Sequence, residues 1–263
     1  MDMFDKATHR FLHVGVKEPK PLPSDVETKT LHIQAPTQGQ GGPELAVRVH
    51  VCGSGPAALL VHGWRSQAAD LPSISSELVA AGYQVWMPDL PGHGHSDGEH
   101  LSIPLAATML QAVQAHSGPF ALGVGHSYGG ASLVHAIFGG LQVQRVALLA
   151  APAHYGRFAR QAALQAGMPQ AMVDPWLAKL GLAIGCHPDE IDMKRQARSL
   201  EVPALLVHSR DDGVAPFSDM AEVASEWRGA KWLPLDGLGH FRVLSDAGVL
   251  RALRSFANHR QEG

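Results

Sequence analysis

Five residues, Gly125, His126, Ser127, Tyr128 and Gly129, stand between a strand-like run, FALGVGHS (120–127), and a helix-like segment that follows at once. A strand that turns sharply into a helix forces its central residue into a strained conformation in which side chains two positions away collide. Glycine at 125 and 129 removes that collision. Such a turn projects the Ser127 hydroxyl past the carboxyl end of the strand, beside the unpaired N–H groups of the helix N-terminus. A serine hydroxyl attacks a carbonyl only when a base takes its proton, and the base needs a carboxylate to hold its tautomer. Of the 16 histidines, His240 stands out because it lies in the loop GLGHF, just after the strand-like run KWLPL (231–235). Two carboxylates, Asp211 and Asp212, follow the apolar run ALLVHS (204–209). The residues alone leave open which of them serves.

A different chemistry competes in PGHGHSDGEH, where His93, His95 and Asp97 have an H-x-H-x-D spacing that suits a metallo-hydrolase. The next ligand position is Gly98 and no further ligand motifs follow in order, so no metal is expected. The stretch GHSYGG also lacks the G-K-[ST] ending of a phosphate loop and the G-x-G-x-x-G spacing of a dinucleotide fingerprint. No organic cofactor is expected either.

The elements that must position these groups are legible as short apolar runs. ALLVHG (58–63), YQVWMPDL (83–90), FALGVGHS, RVALLAAP (145–152), ALLVHS and KWLPL alternate with helix-like segments. Near-continuous apolar strands imply burial on both faces, hence a mostly parallel sheet flanked by helices, an α/β fold. Before them, LHIQAP and ELAVRVHV flank the Gly-rich stretch TQGQGGP, the pattern of a hairpin. Ile103, Ala106, Leu110 and Val113 form one helical stripe, and Val249, Leu250, Leu253, Phe256 and Ala257 another. Alternation breaks at 153–199, where a longer helix-forming segment reads as an inserted helical cap. Residues 1–30, with Pro19, Pro21 and Pro23, read as an extended arm. The core is thus expected in 31–152 and 200–263.

From about residue 45 onward the sequence resembles the α/β-hydrolase superfamily, in particular its serine-nucleophile, esterase- and thioesterase-like members. GHSYG carries the resemblance together with LLVHGW (59–64), PDLPGHGHS (88–96), VHSRDDGVAP and GLGHF. The resemblance implies an open, mostly parallel sheet with helices on both faces and a chain order of nucleophile, acid, histidine. It makes Ser127 the nucleophile, His240 the general base and Asp212 the acid. Ser209 stands where the family usually has glycine. It also assigns the oxyanion donors to the backbone N–H groups of Trp64 and Tyr128. Tyr155, Phe158, Met172 and Trp176 in the cap, with the Trp64 ring, are expected to wall an apolar substrate pocket.

The implied reaction is cleavage of a carboxylic ester or thioester of a small to medium, largely apolar substrate through an acyl-enzyme. The same apparatus also serves acyltransferases, amidases, C–C hydrolases and perhydrolases, or a ligand receptor on a hydrolase scaffold. The 263 residues are 45% hydrophobic and 17% charged, which excludes a disordered or fibrous chain. A net charge of −3 without a Lys/Arg cluster argues against nucleic acid as a partner and leaves a small acyl molecule. No run is long enough to span a bilayer, the N-terminal stretch lacks an apolar signal region, and Cys52 and Cys186 read as free thiols. A cytoplasmic setting is expected.

Overall fold

A computed structural model of the protein describes residues 2–15, 18–35 and 42–258. The first half runs α1 (Met3–Leu12), β1 (Glu27–Gln34), β2 (Glu44–Gly53), β3 (Ala57–Val61), α2 (Pro72–Ala80), β4 (Gln84–Pro88), α3 (Ile103–Ser117), β5 (Leu122–His126) and α4 (Tyr128–Phe138). Then come β6 (Val146–Leu149), α5 (Tyr155–Gln165), α6 (Gln170–Ile184), α7 (Met193–Ala197), β7 (Ala204–Ser209), α8 (Phe217–Glu226), β8 (Lys231–Leu235) and α9 (Ala247–Asn258).

The strands form one eight-stranded sheet in the order β1-β2-β4-β3-β5-β6-β7-β8. β1 and β2 pair antiparallel from Glu27 opposite Val51 to Gln34 opposite Glu44, and β2 runs antiparallel to β4. All other pairs are parallel. The expected hairpin strands therefore pair, although most of the Gly-rich connection between them lies outside the described residues. Burial on two faces explains the apolar runs. Leu59 and Val61 of β3 pack into one hydrophobic cluster with α3, α4 and α6, while Ala58 and Leu60 pack into a second with α2 and α9. Every residue of β5, β6 and β7 is buried, whereas β8, at the sheet edge, is only partly covered. Each large aliphatic side chain taken out of water here contributes on the order of 2 kcal/mol. Both helical stripes face these clusters, with Leu250 only partly buried.

The strand order reverses at β3, which lies between β4 and β5. Connections on either side of such a point diverge and leave a crevice beyond the carboxyl ends of the strands. Ser127 begins the connection that leaves β5 at this crevice.

The expectation of an extended arm over 1–30 is corrected for Met3–Leu12, which is helical, and for the start of β1 at Glu27. Asp2 caps α1 by accepting a hydrogen bond from the Asp5 amide, and the Asp5 carboxylate accepts one from the Asp2 amide. The three prolines follow the helix instead of interrupting it. α1 lies against α6: Trp176 Nε1 donates to Thr8 Oγ1 at 3.2 Å, and Lys179 pairs with Asp2 and Asp5. Phe11 packs edge-on against Trp176 and Tyr155.

Residues 153–199, between β6 and β7, hold α5, α6 and α7. An isolated antiparallel bridge pairs His154, just before α5, with Asp192, just before α7. Cys52 and Cys186 are both free thiols. Among the described residues no helix is long and apolar enough to cross a membrane.

Candidate active site

Ser127 sits at the turn from β5 into α4 with φ +50° and ψ −125°, a region that side-chain-bearing residues rarely occupy. Its neighbours hold it there. The Ser127 amide donates to Leu149 O at 2.9 Å, and its carbonyl accepts from the amides of Gly130 and Ala131. The glycines work somewhat differently from the sequence expectation. A Cβ at Gly125 would lie 2.6 Å from Gly130 Cα, which is a collision within the turn. One at Gly129 would lie 2.3 Å from His62 O and 2.5 Å from Val61 O, so Gly129 clears the end of β3 and lets α4 approach it.

Ser127 Oγ lies 2.9 Å from His240 Nε2, and His240 Nδ1 lies 2.8 Å from Asp212 Oδ2. The carboxylate accepts, so Nδ1 carries a proton and Nε2 is free to accept the serine hydroxyl. Residues 113 positions apart in sequence are thus joined in one line of hydrogen bonds, with Ser127, His240 and the Asp212 side chain all buried.

Asp212 is held as an anion. Burial alone would raise its pKa, but hydrogen bonds from His208, His240 and the amides of Ala215 and Val214 outweigh that effect and set it well below the usual carboxylate range. The amide bonds, to Oδ1, are 2.9 and 2.8 Å long. His208 Nε2 lies 3.2 Å from Asp212 Oδ2 and 3.0 Å from Ala215 O; both are acceptors, so Nε2 carries a proton. Sequence reasoning passed over His208, although a histidine in an otherwise apolar buried strand needs such partners.

Asp211 occupies a different place. It is pulled below the ordinary carboxylate range by the Ser209 hydroxyl and then by the Gly239 amide, both of which donate to its side chain. Ser209 Oγ also accepts from the Leu238 amide at 3.2 Å. Ser209 and Asp211 thus pin the loop that presents His240.

On the other side of Ser127, a Cβ at Gly63 would come within 3.0 Å of Ser127 Cβ, which fixes how closely the chain after β3 passes the serine. The Trp64 and Tyr128 amides, expected as oxyanion donors, have no acceptor among the described residues. Their rings lie 5.3 Å apart. The loop after β4 braces this segment: His93 Nε2 accepts from the Arg65 amide at 3.0 Å, and His62 Nε2 accepts from the Leu90 amide at 2.9 Å. Burial, with His93 adding to it, lowers the His62 pKa to about 3, so the ring stays neutral and can accept. His126 Nε2 lies 3.0 Å from His240 O, and burial lowers its pKa to about 4. Asp89 organises the same loop by accepting from His50 and from the Ala68 and His95 amides. His93, His95 and Asp97 do not converge. Asp97 accepts from the Ala46 amide instead.

The model of the alpha/beta hydrolase family matches residues 58–253. The chain belongs to the alpha/beta hydrolase family. The pimeloyl-[acyl-carrier protein] methyl ester esterase of Xanthomonas campestris pv. campestris (strain B100) is 28% identical, covering 80% of this chain and 98% of its own. That of Xanthomonas oryzae pv. oryzae (strain MAFF 311018) is 36% identical over 42% of this chain and 43% of its own. Among solved structures, an esterase from Rhodococcus sp. ECU1013 is 20% identical with a TM-score of 0.64, covering 89% of this chain and 98% of that one. A thermophilic esterase from Thermogutta terrifontis is 17% identical with a TM-score of 0.65, covering 87% and 97%. The fold expected from the apolar runs and the family expected from the motifs are both borne out.

In this α/β hydrolase a cavity of about 1160 Å³ opens beside Ser127 and His240. Trp64, Tyr155, Phe158 and Trp176 border it. Met172, half-buried on α6, does not border it, and Met168, ahead of that helix, does. The larger surprise is α1, whose Met3, Lys6, Arg10 and Phe11 form one wall. These positions recur at helical spacing, a signal present in MDMFDKATHRFL but obscured by reading the segment together with its prolines.

Proposed function

We propose that this α/β hydrolase is a serine esterase that cleaves a carboxylic ester or thioester through an acyl-enzyme on Ser127. The observation that carries the reading is the pair of short contacts from His240, 2.9 Å to Ser127 Oγ and 2.8 Å to Asp212 Oδ2. His240 takes the hydroxyl proton as Ser127 Oγ attacks the carbonyl carbon. The Trp64 and Tyr128 amides receive the oxyanion, each contributing on the order of a hundredfold in rate. His240 then returns the proton to the departing alcohol or thiol. A water molecule, deprotonated by the same imidazole, attacks the acyl group and frees Ser127, while Asp212 stays ionised throughout.

Residues 153–199 act as a cap over this centre, with α1 closing the remaining side. A cavity of about 1160 Å³ bordered by Phe11, Trp64, Tyr155 and Phe158 suits a largely apolar acyl chain of medium length. The esterase names of the curated relatives, whose ester sits on a pimeloyl chain, support that choice. A small acyl molecule is the partner and the cytoplasm the setting, in keeping with two free thiols.

The test is turnover of p-nitrophenyl esters by wild type and Ser127→Ala. The variant should lose about 10⁴-fold or more in kcat with an unchanged circular dichroism spectrum. A folded alanine variant that retains full activity would refute the proposal.

A further inference from the structure

Three imidazoles meet away from the Ser127 line, where the end of α1 crosses the loop that leads into α3. His9 and His13 are four residues apart, one on the last turn of α1 and the other its C-cap. His13 pairs with His100 as an antiparallel bridge, and the two strands of chain are stitched by Val14 N to Glu99 O and Leu101 N to Leu12 O, both 2.9 Å. One ligand nitrogen from each histidine lies within 4.8 Å of the other two. His9 Nδ1 and His100 Nε2 share a hydrogen bond of 2.7 Å. Among the described residues His13 Nδ1 is buried without a hydrogen-bond partner.

A hydrogen-bonded histidine pair accounts for His9 and His100 but leaves His13 Nδ1 orphaned, and an unpaired buried polar atom is costly. The rings also crowd one another, with centroids 4.6 to 6.0 Å apart and no carboxylate within the cluster. A second group, His50, Asp89 and His95, differs. There Asp89 is already satisfied by His50 and two backbone amides.

We propose that His9, His13 and His100 form a binding site for a borderline divalent metal ion of the Zn²⁺ class. Neutral imidazoles suit such ions. With Zn–N bonds of about 2.0 Å, tetrahedral ligand nitrogens stand about 3.3 Å apart. Small ring rotations bring the three nitrogens to that spacing, with the His9–His100 hydrogen bond exchanged for two metal bonds. Three protein ligands leave the fourth position to water on the exposed side of His9. The bound ion clamps α1 to the loop before α3. Because α1 also brings Met3, Lys6, Arg10 and Phe11, and His13 at its end, to the border of the cavity, the clamp also fixes that wall.

The site is tested without any ester, on tag-free protein stripped with a chelator. Titration with Co²⁺ should yield one equivalent bound with visible d–d bands, and Zn²⁺ should displace it in calorimetry and raise the melting temperature. His9→Ala, on the exposed side, and His100→Ala should each weaken the dissociation constant by more than the roughly 10–100-fold that an outer-shell partner is worth. Their unliganded melting temperatures report whether α1 remains docked. Absence of stoichiometric binding by wild type would overturn the proposal, and so would binding unchanged in the two variants, which would assign the ion to another group such as His50, Asp89 and His95.

Discussion

At the scale of single residues, the two adjacent aspartates differ in what they touch. Asp212 is buried against His240 and His208, while Asp211 takes hydrogen bonds from Ser209 and the Gly239 amide at the base of the histidine loop. Asp212→Asn removes the acceptor that sets the imidazole tautomer and should lower kcat by about 10⁴-fold, whereas Asp211→Asn should cost less than about tenfold. Steady-state kinetics on one ester compare them directly; equal losses would contradict the assignment. Which of the two carboxylates serves is left open by the residues alone; only the resemblance of VHSRDDGVAP to the family's acid loop points to Asp212. The role of Ser209 could not, because its hydroxyl acts on loops 29 residues away that only the fold brings near.

At the scale of elements, the strand–turn–helix at Ser127 was legible because its glycines announce crowding, although the sequence does not say what crowds them. Gly129 is pressed against the carbonyls that end β3. Gly129→Ala should therefore destabilise the fold by about 1–3 kcal/mol, since backbone must move to admit the methyl group. Urea unfolding measures this, and a neutral substitution would contradict the packing described. α1 shows the opposite case. Its capping pair, Asp2 and Asp5, and its apolar positions were all in the sequence, but three prolines downstream dominated the reading of residues 1–30. Phe11 reaches from α1 to Tyr155 and Trp176 at the cavity wall. Phe11→Ala should lower kcat/KM for octanoyl esters by about tenfold while leaving acetyl esters nearly unchanged. Equal effects on both chain lengths would remove α1 from the substrate wall.

At the scale of the whole molecule, the buried neutral histidines couple stability to pH. His62 and His126 have folded pKa values of about 3 and about 4, below the usual 6.5. The unfolded chain therefore binds protons that the folded chain refuses once pH drops below about 6.5, and stability falls as pH falls through that window. At pH 5 the two together should cost on the order of 4 kcal/mol relative to pH 8. Urea midpoints measured across this range should decline. A flat profile would mean that both rings take up protons in the folded state as readily as in the unfolded chain. The parallel core was readable from its apolar runs because burial on both sheet faces leaves no polar alternation. The meeting of Ser127, Asp212 and His240 was readable only through the order of motifs, since no local pattern encodes contacts between three separate loops. The covalent step on Ser127 underlies the whole account. Peptide mapping by mass spectrometry after a brief reaction with a fluorophosphonate measures it most directly. A single adduct on Ser127, lost when His240 is replaced by alanine, is predicted. Labelling of another residue, or rapid ester turnover with Ser127 unmodified, would contradict it.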